Sequence, residues 1–158
     1  MQLRKVKRMD SQKADPIKIG IVTCSNATQD LDCCSVSCLK DFDQRLGKFH
    51  DYPQEAPLRL VGIISCARCP TLAYPEKILR RVDTLVRFGA DNIHFANCMV
   101  AFCPFLKKYT AAIKKKYPDI NVIEGSHESH RSPEKFREAV VCAFENGKTM
   151  ADVILGTL

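Results

Sequence analysis

The chain has 158 residues, 46% hydrophobic and 27% charged, a length that predicts one domain with a sizeable core and a composition that excludes wholesale disorder. No apolar run approaches the roughly 18 residues that a membrane-crossing helix needs, and the basic start Met1–Asp10 lacks the apolar stretch of a secretory signal. Of the net charge of +6, half lies on residues 1–16, so the body is nearly balanced and a nucleic-acid-binding surface is not expected.

Residues 1–16 are expected to form a basic, flexible tail, and residues 17–158 a single α/β domain. Ile17–Thr23 is β-branched and mostly apolar, as a buried central strand should be. A polar loop is expected over Ser25–Cys34, then a helix to Leu46, with Gly47 as its stop. Leu58–Ser65 reads as the second strand, and Pro75–Phe88, opened by proline and followed by Gly89, as a helix. Asn92–Asn97 is the third strand. Cys98–Cys103 then reads as a loop, and Pro104 opens a helix that runs to Tyr117. Ile120–Glu124 is a short fourth strand, and Gly125–Arg131 a polar loop. Ser132-Pro133-Glu134 has the form of an N-cap with proline in the first turn, opening a helix to Glu145. Met150–Leu158 has the length for one more turn. Strands alternating with helices predict a three-layer sandwich around a mostly parallel four-stranded sheet, in the flavodoxin-like order 2-1-3-4.

Each expected strand is followed by a sulfur or imidazole side chain: Cys24, then Cys66-x2-Cys69, then Cys98-x4-Cys103, then His127-x2-His130. Parallel strands end on the same side, so these residues should gather along one edge, where open α/β sheets place their sites. The two-residue gap of Cys66 and Cys69 suits one shared metal ion and equally a dithiol redox pair. Arg68 between them should favour thiolate, and Cys103 before Pro104 should gain from a helix N-terminus. Cys33, Cys34 and Cys38 form a second group, in which either Cys34 with Cys38 or Cys33 with Cys38 could share a ligand. Cys142, His94 and His50 read as structural, Cys142 as a core thiol. Nine cysteines, an odd number with no export signal, predict a reducing, cytoplasmic setting and metal or thiol chemistry rather than a disulfide framework. A phosphatase-type loop after the first strand would need arginine six positions beyond Cys24, where Asp30 stands, and no phosphate-cradling glycine motif occurs.

On these residues the chain resembles the CGGC-domain proteins, small Cys/His-rich proteins associated with metal binding. The resemblance runs from Ile17 to Ser129. It is carried by Lys18-Ile19-Gly20-Ile21 leading to Cys24, by Thr28-Gln29-Asp30, Cys33 to Cys38 and Gly62 to Pro70, then by Cys98 and Glu124-Gly125-Ser126-His127. It implies metal ligands among the cysteines, with His127, and zinc as the metal. The candidate set is thus Cys24, Cys33, Cys38, Cys66, Cys69, Cys98, Cys103 and His127. The signature departs from the family's in reading Cys66-Ala67-Arg68-Cys69; if the missing glycines served a positive-φ turn, Ala67 and Arg68 would be strained there. Thiolates select zinc, copper(I) or iron–sulfur clusters, and zinc is favoured slightly over a cluster. Two alternatives stay open: a metal-free dithiol oxidoreductase using Cys66 and Cys69, and a non-catalytic metal or redox sensor domain. Any catalytic base would come from Glu124, Glu128 or His130.

Overall fold

The computed structural model describes residues 15–66, 68–69, 75–128 and 130–158. The expected tail therefore lies almost wholly outside the described residues, as do Ala67, Pro70 and Ser129. Twelve elements follow in order. They are β1 (Ile17–Thr23), α1 (Ser25–Gln29), α2 (Val36–Gln44), a 3-10 turn (Gly47–Phe49), β2 (Leu58–Ser65), α3 (Pro75–Arg87) and β3 (Asn92–Phe95). Then come α4 (Asn97–Phe102), α5 (Leu106–Lys116), β4 (Asn121–Glu124), α6 (Pro133–Glu145) and α7 (Met150–Leu155).

The four strands form one parallel sheet in the order β2-β1-β3-β4, as the strand–helix alternation predicts. The two middle strands bear the core: Ile19, Ile21, Val22, Ile93 and Phe95 are fully buried. Helix α3 meets them with Ile78, Val82 and Leu85, and α5 with Leu106, Tyr109 and Ile113, both at the three- and four-residue spacing of one helical face. Leu85 lies over a window left by Gly20 and Gly62, paired across β1 and β2; a Cβ on Gly20 would meet Leu85 Cδ1 at 2.7 Å. The β1–β2 ladder slips by one residue there: Ile19 faces Leu60, but Gly20 faces Gly62.

Several boundaries differ from the expectation, each for a local reason. Ser25–Gln29 is a short helix rather than a loop, and so is Asn97–Phe102. Neither carries a side-chain cap that would announce it. Helix α2 ends at Arg45, itself left-handed at φ 54, while Gly47 (φ +56) opens the 3-10 turn instead of stopping a helix. Cys142 is exposed on α6 rather than a core thiol. Ser132 does cap α6, accepting from the Lys135 N–H at 3.3 Å.

Candidate functional site

Strands β1, β2 and β3 end at Cys24, Cys66 and just before Cys98, and all three residues are buried. The Cys24 N–H donates to Cys98 Sγ at 3.2 Å, and the Ser25 N–H donates to Cys66 Sγ at 3.3 Å. Cys24 and Cys66 also shift each other's protonation, Cys24 upward and Cys66 downward. Cys66 is therefore held below the usual thiol range, first by the Cys24 donor and then, against burial, by Ser25 and the Arg68 amide. Cys24 is raised by the same bond and by burial. Within that set Arg68 acts through its backbone, at φ 68, in the positive-φ region that the missing glycines would have favoured.

A second group lies beside it. A cavity of about 30 Å³ is lined by Thr23, Cys33, Cys38, Cys98 and His127 among polar residues, and by Phe136, Met150 and Ile154 on its apolar side. That is room for one water or one ion, not for a multi-iron cube. Cys38 Sγ stands 3.5 Å from His127 Nδ1 and 3.5 Å from Ser126 Oγ. Burial pushes the Cys38 thiol up to about 11 and the Cys98 thiol up to about 12. Burial also lowers His127, which keeps its imidazole neutral. Charge on Cys33 raises both Cys38 and Cys98, so the three sulfurs are electrostatic neighbours.

The loop that carries His127 is fixed from several sides. The Gly125 N–H donates to the Phe95 carbonyl at 2.8 Å, extending the sheet. Asn97 Oδ1 accepts from the Ser126 N–H at 3.0 Å, and its Nδ2 donates to the His127 carbonyl at 2.9 Å. The Lys48 N–H donates to the Ser126 carbonyl at 2.9 Å, and buried Asp41 accepts from the Glu128 N–H at 2.7 Å. Gly47 leaves the room: a Cβ there would lie 2.5 Å from the Glu128 nitrogen. Sequence reasoning missed Asp41, Asn97 and Ser126. Asp41, three residues after Cys38 and so on the same helical face, was the one with a visible signal.

The structure sorts the remaining candidates by exposure. Cys69 is exposed, and so is Cys34, which precedes α2, so Cys33 rather than Cys34 joins Cys38 at the cavity. Cys103 is half-buried at the C-cap of α4, ahead of the N-cap Phe105 of α5, and burial pushes it up to about 11, the reverse of the expected dipole effect. His94, expected to be structural, is fully buried. It donates from Nδ1 to the Gly125 carbonyl at 2.8 Å and accepts at Nε2 from the Tyr52 hydroxyl at 2.7 Å. Among the described residues, no three His, Cys, Asp or Glu side chains form a group able to hold a metal ion as they stand. What stands ready is the pair Cys38 and His127. Two ligands of one tetrahedral zinc, at about 2.3 Å for sulfur and about 2.0 Å for nitrogen, lie roughly 3.5 Å apart, which is the separation of this pair.

Compared with known proteins, the model of the CGGC domain matches residues 18–127, most of the chain. No curated protein matches, and no solved structure does.

Proposed function

This chain belongs to the CGGC-domain family, and on that footing we propose that it is a metal-binding domain whose ligands are Cys33, Cys38, Cys98 and His127. The spacing of Cys38 and His127 carries the reading, because 3.5 Å between sulfur and a neutral imidazole nitrogen suits one shared tetrahedral ion. Cys33 and Cys98 line the same cavity and complete a three-sulfur, one-nitrogen set by side-chain adjustment. Sulfur with neutral imidazole favours a soft or borderline ion over calcium or magnesium. Zinc ranks ahead of an iron–sulfur cluster because the cavity holds one ion and a cluster generally takes four thiolates. Four protein ligands leave no open position, so the bound ion would supply cross-linking rather than a reactive water. Asn97, Asp41 and Lys48 would fix the backbone of the loop that carries His127 and so its position at the ion.

Metal analysis and a visible spectrum of protein purified without chelator or oxygen test the reading. One zinc per chain and no colour are expected, with Cys38→Ser and His127→Ala each losing the zinc and Cys69→Ser retaining it. Brown protein containing iron and sulfide would replace zinc with a cluster. Metal retained by both cavity variants would overturn the ligand set.

A further inference from the structure

Two buried thiols remain outside the metal cavity. Cys24 and Cys66 stand one residue past Thr23 and Ser65, which are partners in register across β1 and β2. The ladder continues one step beyond them, since the Cys66 N–H donates to the Thr23 carbonyl at 2.7 Å. Neighbouring strands run about 4.8 Å apart, within the roughly 4.4–6.8 Å between Cα atoms that a disulfide spans. In-register residues of parallel strands also project to one face, which sets these two side chains next to each other across the ladder. Cys66 Sγ accepts from the Ser25 N–H at 3.3 Å, and its thiol donates to Ser25 Oγ at 3.4 Å. The C-x-x-C spacing would pair Cys66 with Cys69, yet Cys69 is exposed beyond the left-handed Arg68, whereas buried Cys24 stands beside Cys66 across the ladder.

We propose that Cys24 and Cys66 are a reversible oxidation site, in which a small hydroperoxide oxidises Cys66 and Cys24 then closes a disulfide. The oxidant must be small, because Cys66 is only 7% exposed and Cys24 4%. In the first step the Cys66 sulfur attacks one peroxide oxygen and the O–O bond breaks. Cys66 becomes a sulfenic acid, and the other oxygen leaves as water, taking the Cys66 thiol proton. In the second step the Cys24 sulfur attacks the Cys66 sulfur and the S–O bond breaks. The hydroxyl departs as a second water with the remaining thiol proton. Two thiols give up two electrons and two protons to one hydrogen peroxide, yielding one disulfide and two waters. A small dithiol reductant reverses the change.

The test is peptide mapping of the full wild-type chain, reduced anaerobically, treated with one equivalent of hydrogen peroxide, alkylated and digested with trypsin. Cleavage after Arg68 separates Cys66 from Cys69, so the two possible partners of Cys66 are resolved. The expected product joins the Cys66 peptide to the Ile19–Lys40 peptide, with fragmentation placing the link at Cys24. Cys69→Ser should form the same link to the same extent, and Cys24→Ser should leave Cys66 as a sulfenic acid that dimedone labels. A dominant Cys66–Cys69 link, loss of the link in Cys69→Ser, or oxidation falling on other cysteines would each overturn the proposal. The mapping is run with bound metal and after chelation, and the link is expected in both. Failure of the metal reading appears in the metal content and not in this map.

Discussion

His94 shows how one buried residue couples the stability of the fold to pH. Its ring lies 4.8 Å from that of Phe49, bonded to Tyr52 and Gly125. Burial lowers its pKa, opposed by the Gly125 carbonyl and by Asp51, and assisted slightly by Lys48. The unfolded chain therefore takes up a proton at about pH 6.5 that the folded chain still refuses, so stability is full above that value and falls as pH drops below it. Urea midpoints should fall between about pH 7.5 and about pH 5.5, and His94→Gln should flatten that slope; an unchanged slope in the variant would count against His94. Residues of this kind were only half legible in the sequence. The place of His94 inside an apolar strand marked it as structural. Gly47 was misread as a helix stop, because what it accommodates is the Glu128 backbone, some eighty positions away in the chain. Cys142 was misread because its apolar neighbours Val141 and Phe144 proved to be exposed on α6, where Ala143 is the residue that enters the core.

Among the elements, long β-branched runs announced themselves, and short helices did not. Strands β1 and β2 fall where their composition put them, since a buried parallel strand has a compositional signature of its own. Helices α1 and α4 have five and six residues and no side-chain caps, so nothing local distinguishes them from loops. Reading α4 as a loop also hid the arrangement that puts Cys98 in its first turn while leaving Cys103 at its far end. Packing between elements turns on the glycine window beneath Leu85. Gly20→Ala should cost about 1–3 kcal/mol by overpacking, read as a lower urea midpoint at unchanged m-value. Since a Cβ at Gly20 collides with the Leu85 side chain, Leu85→Val in the same chain should recover part of that loss. Additive losses would mean that the collision is not what Gly20 avoids.

For the whole molecule, the placing of Cys24, Cys66 and Cys98 at one edge of the sheet was legible, because it follows from parallel topology alone. The division of the cysteines into the Cys24–Cys66 pair and the cavity group was not. It depends on how α2 and the Gly125–Glu128 loop lean over the edge, and that is set by Asp41, Lys48 and Asn97. Among the described residues no helix is long and apolar enough to cross a membrane. If one ion joins α2, α4 and the β4 loop, stripping it should lower the melting temperature. At a hundredfold excess of metal over its dissociation constant the stabilisation is about 2.7 kcal/mol, or about 5–10 °C for a chain of this size. A melting curve indifferent to chelator would mean that the ion is not a structural tie. The slipped rung between Ile19 and Gly20 has its own consequence. Side chains along a strand alternate like odd and even numbers, and β2 changes parity at Val61. Counted by strict alternation from Leu58 and Leu60, Cys66 belongs to their face and should turn away from Cys24. The extra residue reverses the count, so whether the two sulfurs meet is decided five positions upstream, by an irregularity that carries no sulfur at all.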